Sequence, residues 1–367
     1  MAYLSDIIQG NENGREFMKT QYALIGFLIT SVAHSADFGI YANSVSAHNI
    51  ATAQHEIANR VFVPMGKTSV VKSATTRTKP AVTNDDQDPD AYGEMLYYGE
   101  FGDDTGVLPL VTGRSGGENS DESFRIGWQH FSDNVKFKSY PHLKSTSDLA
   151  FIAYGNEFNA TRMEFFGGYS GAHTRNESMD MDTDGAFIGA SFGKKIGKLE
   201  LAAMADFGLA VNDVKSVIYS DDFNNFYAGI MANAAYEFDY DDDISFRPAF
   251  RAGYTWIDSA SYISSGGENI TNQDFGFFEL SPMLDVLGNV GDGLSIGAHV
   301  GYIMNFRTGG KVDLNYAAVP KLDINNHFEY GIVLSQNFEG FSLNMNIGRH
   351  DGARNGWNGG AEFRYVF

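Results

Sequence analysis

The chain ends in the segment Trp357-Asn358-Gly359-Gly360-Ala361-Glu362-Phe363-Arg364-Tyr365-Val366-Phe367. Side chains alternate between the two faces of a β-strand, so this segment has one aromatic face and one polar face. The chain ends of soluble proteins usually fray. A transmembrane β-barrel instead has to pair its last strand with its first, because an open sheet edge cannot lie in hydrocarbon. The segment therefore predicts the closing strand of a membrane barrel, with Phe363, Tyr365 and Phe367 on its lipid-facing side.

Upstream, the same alternation recurs in segments of about ten or more residues, the length that a tilted transmembrane strand needs. The segment 245–256 is the clearest, with Phe246 and Tyr254 on one face and Arg247 and Arg251 on the other. Segments 123–131 and 148–158, with ten segments after residue 159, give twelve strands. We exclude a further candidate at 95–102 because it alternates poorly and because a bacterial barrel is expected to have an even number of strands.

The connections between these segments alternate in length. Short turns lie near residues 195–197, 240–243, 288–293 and 339–340, whereas longer polar loops lie near 173–183, 213–223, 259–273 and 308–326, with a shorter one at 351–355. Outer-membrane barrels have short periplasmic turns and longer extracellular loops. The sequence thus predicts an all-β fold: a transmembrane antiparallel up-and-down β-barrel of about twelve strands, with both ends in the periplasm.

The N-terminal region is predicted to direct export. An apolar run at 22–33 is too short to span a bilayer as a helix; Arg15 and Lys19 precede it, and small residues around Ser35 follow it. This arrangement is typical of a secretory signal peptide, here residues 1–35 with Met18 as an alternative start. We therefore expect residues 36–93 to be a short N-terminal segment and residues 94–367 to be the outer-membrane barrel.

One helix is predicted ahead of the barrel, at about residues 44–62. Ile50, Ala53, Ile57 and Val61 recur on one face at three- and four-residue spacing. Such a helix is about 30 Å long, close to the thickness of a bilayer core. It could lie in the barrel lumen or outside the barrel, and the sequence does not decide between these places. The remainder of the segment, from about residue 67, is predicted to be a linker.

The barrel pattern resembles the C-terminal translocator domain of autotransporters, the type V secretion family. The resemblance covers about residues 120–367 and is most specific at the alternating aromatic C-terminus and at Phe166-Gly167-Gly168-Tyr169-Ser170, which is similar to a Gly-Gly-Tyr strand of that family. It implies that Phe363, Tyr365 and Phe367 form the signal that the outer-membrane barrel assembly machinery recognises. It also implies a Gram-negative outer-membrane location, in contact with lipid and lipopolysaccharide.

Charged residues of both signs fall on the predicted lumen-facing side of the strands. They could pair with one another and with an internal helix, or they could set the selectivity of a pore. The candidate lumen network comprises Arg162, Glu164, Glu200, Asp206, Arg247, Arg251, Glu279, Asp285, Arg307, Glu329, Glu362 and Arg364.

Composition narrows the remaining functions. The net charge of −20 argues against nucleic acid as a partner, and the absence of cysteine excludes a disulfide scaffold. No nucleophile and base occur in a recognisable arrangement, so we expect no enzyme activity, no cofactor and no metal site. The main hypothesis is a barrel that translocates or displays a short N-terminal segment at the cell surface. The alternatives are a porin-like diffusion channel and an adhesin that binds an unknown surface ligand through its loops.

Overall fold

One antiparallel sheet forms a closed barrel. The computed structural model describes residues 41–62, 120–136, 142–158, 160–216, 219–241, 243–259, 261–267, 269–271, 274–309, 326–338 and 341–367. Within these ranges the sheet contains thirteen strands, one of which is the two-residue strand Phe238–Asp239. The remaining twelve make up the barrel wall, so the predicted all-β barrel with twelve strands is confirmed.

The twelve wall strands are long, and each pairs with its neighbours in the chain. They are β1 Ser120–Val135, β2 Leu143–Phe158, β3 Thr161–Arg175, β4 Met179–Ile196, β5 Leu199–Ser216, β6 Ser220–Tyr236, β7 Ile244–Ser259, β8 Phe275–Gly291, β9 Leu294–Gly309, β10 His327–Phe338, β11 Phe341–Gly352 and β12 Arg354–Val366.

The C-terminal strand closes the barrel, as its sequence predicts. Strand β12 pairs with β1 from Ser123↔Val366 to Val135↔Arg354, so no edge of the wall is left unpaired. Its faces alternate as expected: Trp357 is 55% exposed, whereas its neighbour Asn358 is 4% exposed. Phe363, Tyr365 and Phe367 all lie on the outward face.

The two ends of the barrel differ. We call the end that carries the connections 136–142, 176–178, 217–219, 260–274 and 310–326 the loop end, and the opposite end, where Phe367 lies, the turn end. The turn end carries short connections such as 197–198 and 292–293. A short ribbon in the connection after β7 pairs Tyr262–Ile263 with Asn269–Ile270.

Two of the predicted long loops are wrong, because most of their residues belong to strands. Residues 173–183 contain the end of β3 and the start of β4, and 213–223 contain the end of β5 and the start of β6. Pairs such as His173↔Asp182 and Asp182↔Asp213 continue the ladder there. Backbone groups make the ladder hydrogen bonds, so a hairpin can extend through residues whose side chains are polar on both faces.

The predicted helix is present over residues 41–61, and it lies inside the barrel. Its polar residues are buried along with its apolar ones; Gln54 and Glu56, for example, are both almost inaccessible. A helix that is buried on all sides needs polar partners on the surrounding wall. In the described part of the chain, no helix has the combined length and apolar character needed to cross a membrane. The signal segment, the linker and the excluded candidate strand at 95–102 fall outside the described residues.

Candidate functional site

The helix runs through the lumen from the loop end to the turn end. Near its start, the Tyr41 hydroxyl accepts a hydrogen bond of 3.0 Å from Asn176 in the loop-end hairpin between β3 and β4. Near its other end, the carbonyl of Arg60 accepts a 2.8 Å hydrogen bond from Arg125. Arg125 lies on β1 close to the turn end. The described helix therefore spans the lumen from the loop end to the turn end.

The first part of the helix is held by uncharged polar contacts. Ser46 donates to Asn225 on β6 at 2.7 Å. The Asn49 amide donates to Thr183 and accepts from Thr174, both at 3.3 Å. These contacts reach three different wall strands, so they fix the rotation of the helix as well as its position.

The middle of the helix meets charged groups on the opposite sides of the wall. Gln54 donates a hydrogen bond to Asp206 on β5. The two ring nitrogens of His55 lie 2.8 Å from Glu279 and 2.9 Å from Glu329. A histidine can donate to two carboxylates only when both ring nitrogens carry protons. One side chain of the helix thus joins β8 to β10, the two strands on either side of β9.

The end of the helix rests on an arginine and glutamate network. Arg60 donates to Asn346 at 2.7 Å. Arg125 forms a bidentate pair with Glu164, at 2.8 and 2.6 Å, and lies 3.4 Å from Glu362. The side chains of Arg125, Glu164 and Glu362 are almost fully buried, whereas Arg60 and Asn346 are half-buried. Arg125 is therefore paired with two carboxylates of opposite charge, and these pairs offset part of the cost of burying charge at the turn end of the lumen.

Apolar side chains of the wall pack against the other side of the helix. Ile50, Ile57 and Val61 belong to the same buried cluster as the inward-facing rings of Phe151 and Phe187. A larger set of wall rings, from Phe131, Phe151, Phe166 and Phe187, fills the lumen on this side. Apolar side chains that point inward break the simple pattern of a polar lumen, and here they face a helix rather than water.

Glycine in the Gly-Gly-Tyr strand makes room for these rings. A methyl group at Gly168 would overlap the Ala150 carbonyl and would lie 2.6 Å from the Phe187 ring. Any larger residue would therefore push the ring of Phe187 out of its place against the helix cluster. The glycine that the sequence singled out through a family resemblance has this packing role in the structure.

A second buried network was not foreseen from the sequence. Asp133 on β1 is within 3.0 Å of His350 and accepts hydrogen bonds from Arg354 at 3.1 and 2.6 Å. Glu56 of the helix lies 3.7 Å from Arg354 and 3.8 Å from His350. The only signal in the sequence is that these residues alternate inward on their strands, because their partners are more than two hundred residues away.

The structure brings the predicted lumen residues to the inner face of the wall. Arg247 links Glu200 and Asp285 at 3.1 and 3.0 Å, and Arg162 pairs with Glu164 at 3.0 Å. Ten of the twelve are buried and two, Asp285 and Arg307, are half-buried; the buried ones are Arg162, Glu164, Glu200, Asp206, Arg247, Arg251, Glu279, Glu329, Glu362 and Arg364. A role for this network in selectivity stays a prediction.

The packing around the helix leaves a gap on one side. A small cavity of about 20 Å³ lies between helix residues 49–53 and the wall, lined by Ser147, Ser170 and Thr183 among others. Thr52 and its neighbours on the helix are half-buried as a result. The helix therefore fills the lumen on this side except for a space of about the size of one water molecule.

Together these features define a class of protein: a barrel of the outer-membrane type whose lumen is occupied by a helix from its own chain. In comparisons of sequence, no family model and no curated protein matches the chain. In comparisons of structure, the chain is similar to the translocator domain of the autotransporter NalP from Neisseria meningitidis. The TM-score is 0.58 and the identity 12%, over 69% of this chain and 90% of that one.

Two further structures show the same similarity. The transport unit of the autotransporter AIDA-I from Escherichia coli matches with a TM-score of 0.52 and 13% identity, over 70% of this chain and 93% of that one. The beta domain of the Bordetella autotransporter BrkA matches with a TM-score of 0.50 and 12% identity, over 66% and 98%. The chain thus has the fold of autotransporter translocator barrels, which is an outer-membrane fold.

Proposed function

We propose that the protein is an autotransporter-like barrel of the bacterial outer membrane that displays its N-terminal segment at the cell surface. The observation that carries the proposal is the direction of the helix. Its first residues contact the loop end at Asn176, and its last residues contact Arg125 near the turn end. In outer-membrane barrels the longer loops face outward and the short turns face the periplasm. Residues that precede the helix then emerge on the outside.

The occupied lumen distinguishes this function from the alternatives. A diffusion channel needs a continuous water-filled path, whereas most of the helix is buried against the wall. An adhesin would bind its ligand through the loop-end connections, and no observation in the described residues favours that function. The three structures compared above are those of translocator or transport barrels of autotransporters, and the proposal includes no catalytic step.

The outer surface of the barrel indicates which molecules would surround the protein in the membrane. Aromatic and aliphatic side chains cover the outward face, among them Phe165, Phe207 and Ile230. Such a surface is stable in the hydrocarbon of a bilayer, in contact with lipid and lipopolysaccharide. The outward aromatic residues Phe363, Tyr365 and Phe367 remain candidates for contact with the barrel assembly machinery during insertion.

Single cysteine substitutions test the direction of the helix, because the natural chain contains no cysteine. We would introduce Gly39→Cys ahead of the helix, Glu177→Cys in a loop-end hairpin and Lys198→Cys in a turn-end hairpin. Intact cells would then be treated with a maleimide that does not cross the outer membrane.

The proposal predicts that the Gly39→Cys and Glu177→Cys proteins react in intact cells. The Lys198→Cys protein should react only after the outer membrane has been made permeable. A Gly39→Cys protein that behaves like the Lys198→Cys protein would overturn the display function, even if the barrel itself inserts as expected.

A further inference from the structure

A group of buried histidine and glutamate side chains lies where the helix meets strand β10. His55 and Glu56 come from the helix, and Glu329 comes from the wall. One ligand atom from each of these three residues lies within 4.8 Å of the other two. All three side chains are buried. Imidazole nitrogen and carboxylate oxygen are ligands that zinc and related divalent transition metals accept.

A second histidine lies next to this group and has no hydrogen-bond partner among the described residues. His327 is 3% exposed, and both of its ring nitrogens are buried without a partner among the described residues. Its ring lies 6.4 Å from that of His55 and 5.6 Å from that of His350, measured between centroids. Buried polar atoms without partners are costly. A bound ion is one arrangement that would satisfy them.

Glu56 shows the same deficit on the helix side. Its Oε1 atom is buried without a hydrogen bond, and the nearest cationic groups, Arg354 and His350, are 3.7 and 3.8 Å away. Arg354 is already engaged by Asp133 at 2.6 Å. The Oε1 atom of Glu56 therefore makes two longer ionic contacts and no hydrogen bond, which leaves it a lone pair for a cation.

The surroundings also hold His55 in the way that metal-binding histidines are held. A histidine ligand usually donates its second ring N–H to a carboxylate, which fixes its orientation and tautomer. The Nδ1 atom of His55 is 2.8 Å from Glu279, so its Nε2 atom is the one left for a metal. That atom is 2.9 Å from Glu329, so a metal ion bound by both side chains would replace the proton of their hydrogen bond.

Three buried carboxylates, those of Glu56, Glu279 and Glu329, meet at this place. The groups that face them are His55 between Glu279 and Glu329, His299 at 3.6 Å from Glu329, and Arg354 at 3.7 Å from Glu56. A divalent cation could take the place of the histidine protons in this arrangement. Buried charges are stable only when they are paired or bind a metal. We propose that His55, Glu56, His327 and Glu329 form a binding site for a divalent transition metal ion of the zinc type, with Glu279 as a positioning residue.

Such a site would fasten the helix to the barrel. Two of its ligands belong to the helix and two belong to β10, so a bound ion would join the occupant of the lumen to the wall directly. Metal binding would then favour the closed lumen, and removal of the metal would ease release of the helix. The proposal rests on the place of the helix in the lumen and does not depend on which segment is displayed outside.

The experiment uses the full-length protein, purified in detergent without a polyhistidine tag and stripped with EDTA. The protein is loaded with Zn²⁺ and separated by gel filtration, and its zinc content is measured by mass spectrometry. Three variants accompany the wild type: His327→Gln in the site, Glu279→Gln beside it, and His173→Asn as a matched control. His173 lies near Asp180 and Asp182 on the exposed outer face of the wall. These three residues form a second group of possible metal ligands, separate from the proposed site.

The proposal predicts one equivalent of tightly held zinc in the wild type and in His173→Asn. The His327→Gln protein should lose it, and Glu279→Gln should bind about 10- to 100-fold more weakly. A wild type that retains no more zinc than His327→Gln, or a His173→Asn protein that loses its zinc, would overturn the proposal.

X-ray absorption of the zinc-loaded wild type keeps the test decisive if a variant fails to fold. The expected spectrum has imidazole nitrogens and carboxylate oxygens around zinc. A shell of oxygen alone would contradict the assignment of His55 and His327 as ligands.

Discussion

Replacement of Gly229 by alanine should loosen the helix without altering the barrel wall. Gly229 lies on β6 beside Asp206, opposite Gln54 of the helix. A methyl group there would overlap the Gln54 side-chain oxygen and would lie 2.6 Å from the Asp206 carboxylate. The Gln54 side chain is the part that can move, so the substitution should break its hydrogen bond to Asp206.

The size of the effect follows from that single bond. A hydrogen bond to a charged group contributes about 1.5–3 kcal/mol, and every 1.4 kcal/mol changes an equilibrium about tenfold. Release of the helix should therefore become about 10- to 150-fold more frequent. The loss includes the cost of leaving Asp206 buried without its partner.

Hydrogen exchange measured by mass spectrometry can detect this change. Peptides that contain residues 41–62 should exchange faster by the stated factor, whereas peptides from the wall strands should keep their protection. Gly288→Ala is the matched control, because a methyl group there meets only the Ile296 carbonyl at 3.6 Å. Equal exchange of the helix in both variants would refute the packing role of Gly229.

Three further changes test other contacts of the lumen and wall. The change His55→Leu leaves Glu279 and Glu329 buried without their shared partner, so helix docking should become weaker by about 3–5 kcal/mol. The measurement is the urea concentration at which half of the helix becomes exposed. An unchanged urea midpoint would contradict this contact. The change Asp206→Asn keeps a hydrogen-bond acceptor for Gln54 and removes a buried charge, so the same measurement should show little loss; a large loss would mean that the charge itself holds Gln54. Deletion of Phe367 should lower the amount of folded barrel in the outer membrane, measured by heat-modifiable migration on gels, and normal amounts would exclude its part in assembly.

The strands of the wall could be predicted because the alternation of side chains between two faces is visible in the sequence of each strand by itself. The faces of β12 follow directly from its sequence, since each side chain of a strand must point to one side or the other. The pairing of β12 with β1 follows from the need to leave no edge in lipid. The strand ends were harder, because in the hairpins at 173–183 and 213–223 polar side chains occupy both faces and the ladder continues regardless.

The place of the helix could not be predicted, for a physical reason. Its apolar stripe at Ile50, Ile57 and Val61 would suit any apolar surface, inside or outside the barrel. What decides its place is the set of partners for its polar residues, such as Glu279 and Glu329 for His55. Those partners are more than two hundred residues away, and no local pattern relates residues at such distances.

The buried histidines illustrate the same limit. Scattered along the sequence, they suggested neither a catalytic nor a metal site. The barrel brings His55, His327 and His350 together because two of them alternate inward on β10 and β11 and the third lies on the enclosed helix. Closure of the barrel, rather than any motif, creates this cluster.

The most direct measurement is the single-channel conductance of the purified barrel with and without residues 41–62, in planar bilayers. If the helix occupies the lumen, the full-length protein should be nearly closed, with at most a small conductance through the gap beside residues 49–53. The protein without the helix should show a large and steady conductance. Large and equal conductances from both proteins would contradict an occupied lumen and would favour a diffusion channel.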